Sequence, residues 1–337
     1  MRRHDDRRRH AAPGDDRGCR GQGAVRPGSA LVVGEALVDV LHGAYGSLRE
    51  RPGGSPANVA VGLARLGHPV TLATRLGTDR RGARLAAHFR DEGIELLAQR
   101  GPRTSTAQAR LRADGNASYV FDLDWDVAPD PPAARPVVVH TGSFGAVLPP
   151  GAQHVAELIR GLAPAATVTY DLNLRPAAMG AVEGLRTRVE RIVRLADVVT
   201  TSDEDLAHLL PGLAPAQAAE RLLGLGPSAV VVTLGARGSL CVTPGAVVAA
   251  PAHRVEVVDT IGAGDAFCAG VIDRLWRLGL LGSARREALR TLDDSGWFDV
   301  LTQASVVAAL TVGREGADPP TRAELDAALG VSAGGEI

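Results

Sequence analysis

The chain has 337 residues, 45% of them apolar, and a formal net charge of −1. That length and apolar content suit one large α/β domain or two small ones, with a substantial core, and the balanced charge carries no footprint of nucleic-acid binding. No apolar run approaches the length of a membrane span, and all 37 basic residues are arginine. Without lysine there is no P-loop, no protein-kinase strand lysine and no Schiff base. Any phosphate chemistry therefore relies on backbone N–H groups, arginine and metal. Cys19, Cys241 and Cys268 are few, widely spaced and without a metal-ligand pattern. They read as reduced thiols of a cytoplasmic protein.

Residues 1–29 are rich in Arg, Asp, Gly and Pro and lack the apolar surface needed for order, so a disordered tail is expected there, and a second one over 331–337. No apolar h-region follows the early arginines, unlike a secretory signal. The domain is expected over 30–330, starting with Ala30-Leu31-Val32-Val33-Gly34 as a buried strand. Asp39 follows among apolar residues. A half-buried carboxylate needs hydrogen-bond partners, which a polyhydroxylated ligand or a tight turn would supply. In Gly53-Gly54-Ser55-Pro56-Ala57-Asn58, the glycines lead into Ser55 as a helix cap and Pro56 at the first helical position. Asn58 then falls in the first turn, facing whatever the glycines admit.

A strand is expected over 70–75, a turn at Gly77-Thr78-Asp79 and an amphipathic helix over 81–92. Segments 104–111 and 117–123 alternate apolar and polar residues around Asp114-Gly115-Asn116, a hairpin that projects from the main sheet. The strand–helix rhythm resumes with strands over 137–140, 167–171, 198–201 and 229–234. Helices over 153–162, 183–195, 203–209 and 216–223 alternate with them. Such repeats imply a parallel sheet covered by helices on both faces, with ligands outside the carboxyl ends of its strands. Asp39, Asn173, Arg175, Gly235 to Gly238 and Gly262 to Asp265 all follow strands in this reading.

The most informative stretch is Val258-Asp259-Thr260-Ile261-Gly262-Ala263-Gly264-Asp265-Ala266-Phe267. Valines at 255–258 read as a strand edge. Phe267, Val271, Leu275 and Leu278 then keep helical spacing, so a glycine turn feeds a helix N-terminus, where unpaired N–H groups and the helix dipole favour an anion. A carboxylate beside a phosphate pocket repels its ligand, so Asp265 needs a reason to be there. It either takes a proton from an attacking hydroxyl or caps the helix.

Two motifs now carry a resemblance: Gly53-Gly54-Ser55-Pro56-Ala57-Asn58 and Asp259-Thr260-Ile261-Gly262-Ala263-Gly264-Asp265. Together, in this order, they resemble the two signatures of ribokinase-like (PfkB-type) carbohydrate kinases over about residues 30–328. The resemblance implies a three-layer α/β sandwich with a mainly parallel central sheet. It also implies a small β-sheet lid from about 38–52 and 105–123, through which a homodimer would form. Asp265 would be the catalytic base, with the N–H groups of Gly262, Ala263, Gly264 and Asp265 as anion hole. Asp39, Gly54 and Asn58 would hold the sugar, and Arg175 would reach a phosphate or a substrate carboxylate. Thr233, Gly235, Gly238 and Thr260 would sit at ATP. Asp259 and the Ile261 carbonyl, with residues near Ala309 and Gly313 to Ala317, would ring a monovalent cation, K+. Where the family has Asn-x-x-Glu for magnesium, this chain has Ser202-Asp203-Glu204-Asp205, so Asp205 and Glu204 compete for Mg2+.

Gly34-Glu35-Ala36-Leu37-Val38-Asp39, the Gly-Ser-Pro-Ala-Asn run and Phe121-Asp122-Leu123-Asp124-Trp125 most resemble bacterial fructokinases, which implies D-fructose and ATP as substrates. Tyr170-Asp171-Leu172-Asn173-Leu174-Arg175-Pro176 suits 2-keto-3-deoxygluconate kinases as well. A nucleoside kinase of the same fold would call for more stacking aromatics than the 3% present. A non-catalytic sugar-binding relative would lack the base or the glycine turn. A dinucleotide-binding dehydrogenase would continue Gly34 as Gly-x-x-Gly, and Glu35-Ala36 follows instead.

Overall fold

The computed structural model describes residues 28–42, 48–111, 117–128, 135–179 and 182–330. The segments expected to be tails, 1–29 except its last two residues and 331–337, lie outside the described residues, as does the expected turn Asp114-Gly115-Asn116.

The described strands are, in chain order, β1 Ala30–Val33, β2 Leu37–His42, β3 Leu48–Gly53, β4 Val70–Gly77, β5 Glu95–Gly101, β6 Thr106–Leu111 and β7 Ala117–Asp122. They continue as β8 Val138–Gly142, β9 Thr167–Asp171, β10 Val198–Ser202, β11 Ala229–Thr233, β12 Ser239–Val242 and β13 Val247–Ala250. Nine of them form one sheet in the order β13-β12-β11-β10-β9-β8-β1-β4-β5. From β11 through to β5 every pairing is parallel, and only β12 and β13 add antiparallel at one edge.

Alternation along the strands sends side chains to two covered faces. Leu31, Val33, Val139, Val168 and Val199 pack with Phe144, Val155, Ile159, Val189 and Leu206 from the helices Ser143–Val147, Gly151–Leu162, Leu185–Val193 and Asp203–Leu209. Ala30, Val32, Leu72 and Val138 pack on the opposite face with Leu63, Phe89 and Ile272 from the helices Ser55–Arg65, Arg80–Asp91 and Ala263–Arg277. The helix Asp294–Val312 extends this second layer through Trp297 and Leu301, packed with Val231 and Leu275.

The remaining strands form a second, small sheet ordered β3-β2-β6-β7. The hairpin β6–β7 is antiparallel, as its alternation predicts, and β2 joins it in parallel with β3 antiparallel beyond. Asp39 therefore sits inside a strand of the small sheet, half-buried, rather than in a turn after β1.

Several elements escape the sequence reading. β3 is short, charged and proline-containing, β5 is a half-buried edge strand, and the helix Asp294–Val312 is apolar nearly all round, so none shows a clean period. The strand expected at 255–258 does not form. Val257 and Val258 are 60% and 61% exposed, and the segment is tied back through the Val258 and Asp259 N–H groups, which both donate to the Val312 carbonyl.

Candidate active site

A cavity of about 520 Å³ lies at the carboxyl end of the main sheet, between it and the small sheet. Leu37, Leu41, Ala107 and Phe121 of the small sheet line one side, with Phe144 beside them. The turn from Thr260 to Asp265 lines the other, and Gly54, Ser55 and Asn58 complete the wall. Among the described residues, four carboxylates, Glu35, Asp39, Glu204 and Asp265, face one cation, Arg175.

The glycine turn is built as its residues predict. Gly262 is the helix N-cap with φ 77, a left-handed conformation that suits glycine, and the helix Ala263–Arg277 follows without a side-chain cap. The Ala263 N–H turns back to the Thr260 carbonyl at 3.3 Å. The Gly264 and Asp265 N–H groups belong to the first turn, where a helix offers no acceptor of its own.

Asp265 is not a cap. Its Oδ1 accepts from the Ser55 hydroxyl at 2.7 Å and its Oδ2 from the Asn58 amide at 2.8 Å. These bonds cross between the N-terminal turns of two helices distant in sequence. Burial raises the Asp265 pKa, and the bonds from Ser55 and Asn58, with the charge of Arg175, pull it back. Burial also pushes the Asp39 carboxyl up to about 7, helped by the charge of Asp265 and opposed by Arg175. Asp171, behind the wall and bonded by the Thr200 hydroxyl at 2.9 Å, is raised well above the ordinary range by burial and by Asp265.

Ser55 is the main correction to the local reading. The N-cap of its helix is Gly54, with φ 103, and Ser55 is the first helical residue. A Cβ on Gly54 would stand 2.6 Å from the Glu35 carbonyl, so glycine is required there for close approach as well as for φ. The Ser55 hydroxyl serves Asp265 instead of its own helix, and only the folded chain reveals that bond.

The two metal candidates separate. Asp205 forms a capping box with Ser202, and its Oδ1 also accepts the Leu174 N–H at 2.8 Å, so both oxygens hold backbone. Asp205 is buried and does not line the cavity, whereas Glu204 does. The neighbouring Asp203 is paired with Arg237. Among the described residues no group of three or more His, Cys, Asp and Glu is arranged to hold a metal by itself.

Thr233 ends β11 in register with Ser202 of β10, and Arg237 pairs with Asp203, which places the Gly235–Gly238 loop beside Asp203 and outside the cavity wall. Gly238 has φ 96, and a Cβ there would meet the Ala250 carbonyl at 2.1 Å. Thr260 and Ile261 do line the cavity. Asp259 braces the turn, its Oδ1 taking the Ile261 N–H at 3.0 Å and its Oδ2 the Gly316 N–H at 2.9 Å. Asp259 thus ties Ile261 to Gly316 of the 313–317 segment. Arg175, which sequence alone could not place, reaches the cavity wall.

The family described as pfkB family carbohydrate kinase matches residues 29–324. The chain is 31% identical to fructokinase-1 of Zea mays over 88% of this chain and 97% of that protein. Its fold is similar to that of a fructokinase from Xylella fastidiosa with bound ATP, with TM-score 0.78 and 30% identity over 90% of this chain and 99% of that one. It is also similar to a Vibrio cholerae fructokinase bound to fructose, ADP and calcium ion, with TM-score 0.76 and 27% identity over 89% of this chain and 98% of that one.

Proposed function

The chain belongs to the pfkB family of carbohydrate kinases, and from its ATP-dependent phosphorylation of a sugar hydroxyl we propose that D-fructose is the acceptor and Asp265 the general base. The observation that carries the assignment of the base is the pair of hydrogen bonds from Ser55 and Asn58, which aim a buried carboxylate at the mouth of a helix N-terminus.

A sugar hydroxyl is a weak nucleophile at neutral pH. Asp265 accepts its proton as the oxygen attacks the γ-phosphorus, a contribution of about 10²–10⁴-fold. Charge on the transferring phosphoryl oxygens meets the N–H groups at Gly262 to Asp265, already oriented by the turn. Ala263 contributes least, because its N–H already has the Thr260 carbonyl. Asp39, Gly54 and Asn58 hold the sugar, and Arg175 offsets the negative wall beside the transferring group. Thr233, Gly235, Gly238 and Thr260 border the nucleotide. The small sheet closes over the acceptor and keeps water, a competing acceptor, away. Its exposed Leu48 and Val120 support a homodimer formed through it. The Ile261 carbonyl, with the Gly313 to Ala317 segment, would hold K+, and Asp259 would position them through its bonds to the Ile261 and Gly316 N–H groups.

Magnesium fits this donor set. The ion is commonly held by one or two carboxylates together with nucleotide phosphates, and Glu204 on the cavity wall supplies such a carboxylate. When bound, it would neutralise phosphate charge. Asp205 instead holds the loop that carries Arg175. Glu204→Gln is expected to raise the magnesium concentration for half-maximal turnover by about tenfold or more with an unchanged melting temperature. Asp205→Ala is expected to leave that concentration alone and to lower stability by about 1–3 kcal/mol, because buried N–H groups lose their acceptor. Magnesium titrations and melting curves of both variants check this, and the reverse pattern would return the ion to Asp205.

For the acceptor, kcat/KM for D-fructose, ribose, adenosine and 2-keto-3-deoxygluconate is the decisive measurement. Among the described residues, four carboxyl groups against one arginine favour a neutral polyol over an acid, so fructose is expected to lead. A tenfold advantage for the keto-acid, about 1.4 kcal/mol in transition-state binding, would make Arg175 a carboxylate ligand and end the fructose assignment.

A further inference from the structure

Glu35 is a cavity-lining carboxylate to which the mechanism above gives no task. It follows β1 at the crossing into the small sheet and is only 3% exposed. Its Oε2 accepts the Gly145 N–H at 2.9 Å. The anchor is rigid. The Gly145 carbonyl takes the Trp125 indole N–H at 3.2 Å, and a Cβ on Gly145 would come within 2.8 Å of the Gly34 Cα. Ser143 lines the cavity with φ 49, an uncommon backbone conformation for a residue other than glycine.

One oxygen remains. Glu35 Oε1 is buried and has no hydrogen-bond partner in the protein. A buried acceptor left unmatched costs about 1–3 kcal/mol, and more for a charged group. Burial also pushes the Glu35 carboxyl up to about 7, with the charge of Asp265 adding to the shift. Anchoring Gly145 requires one oxygen and no charge, so the second oxygen has no structural use.

We propose that Glu35 is a substrate-recognition residue whose Oε1 accepts a hydrogen bond from one hydroxyl of the bound sugar while Oε2 stays on Gly145. The terminal torsion of a glutamate is soft, so a small turn of the carboxyl presents Oε1 to the cavity. A sugar hydroxyl is a donor and satisfies it. A substrate carboxylate is not, and it would also have to sit among the acidic side chains of Asp39 and Asp265. Glu35 thereby selects neutral polyols. This inference rests on the reading of the cavity as the sugar site.

The test compares D-fructose with 1-deoxy-, 3-deoxy- and 4-deoxy-D-fructose and 2,5-anhydro-D-mannitol in wild type, Glu35→Gln and Glu35→Ala. In wild type, one analogue is expected to lose at least about tenfold in kcat/KM relative to fructose, since the buried acceptor is then unmatched. In Glu35→Ala that ratio is expected to fall to within about twofold of unity, with Glu35→Gln in between, while ratios for the other analogues stay as in wild type. If Glu35→Ala does not fold, the isosteric Gln variant decides, with a threefold fall in that one ratio as the threshold. If a variant is too slow to assay, calorimetric titration with the same sugars reads the same ratios. Ratios unchanged for every analogue, whatever happens to the melting temperature, overturn the inference and leave Glu35 an anchor for Gly145. Should wild type prefer another neutral sugar, the monodeoxy series of that sugar is used, so the fructose assignment and the role of Glu35 fail separately.

Discussion

Asp265→Asn is expected to lower kcat by at least about 10²-fold, or about 2.7 kcal/mol of transition-state stabilisation, while the affinities for ATP and sugar change little. The amide has the shape of the carboxylate and still accepts from the Ser55 hydroxyl, and a flip of the Asn58 amide restores its partner there, so the fold survives. Only proton acceptance is lost. Steady-state kinetics with ATP and sugar titrations of the variant check this, and turnover near the wild-type value would remove Asp265 from the base role. The pH dependence has a definite sign. The base works ionised, and burial raises its pKa. On acidification kcat/KM should therefore begin to fall at a higher pH than an exposed aspartate would give.

Gly262→Ala should be nearly as damaging, through geometry rather than chemistry. At φ 77 an alanine costs about 1–2 kcal/mol of backbone strain. Its Cβ would also stand 2.6 Å from the Ala317 Cβ and 2.9 Å from the Ala317 Cα, so the segment around Ala317 must move. That segment carries the Gly316 N–H that holds Asp259, and Asp259 holds the Ile261 N–H of the turn. Displacing it misaims the donors for the phosphoryl group, and losing one such donor typically costs about 10²–10³-fold in kcat. A fall of about 10²-fold in kcat is expected, together with a lower melting temperature. Gly67→Ala is the matched control: φ is 90 there, no atom lies within 4 Å of the added methyl, and the position is far from the cavity. It shares the backbone strain without the clash, so it should lose less stability and keep wild-type kcat. If both variants lose turnover equally, strain alone explains the effect and the anion-hole assignment fails.

The alternating strand and helix periods determined by themselves that this is an α/β chain with a parallel sheet. That is a local property: each covered strand is a short β-branched run and each helix keeps one apolar stripe. The glycine turn at 262–264 was legible for the same reason, since left-handed backbone and close approach both restrict the residue type. The two motifs together identified the family and pointed to Asp265, Asn58 and Asp39. Elements without a clean period were not legible: β3 with its charges and proline, β5 at the sheet edge, and the helix Asp294–Val312, which is apolar nearly all round. Three valines within 255–258 looked like a strand, yet their neighbours offer no ladder, because pairing is a property of the assembled sheet.

At the site, the sequence offered two readings of Asp265, and it took the tertiary structure to set the cap aside. A cap would bond its own helix, and the carboxylate points instead at Ser55 and Asn58 on another helix. Glu204 and Asp205 are adjacent in sequence and differently placed, since one faces the cavity and the other is consumed by the Ser202 and Leu174 N–H groups. Glu35 carried no signal beyond its place beside Gly34. Its interest lies in one unmatched oxygen, and hydrogen-bond satisfaction among residues far apart in sequence is settled only when the chain brings them together.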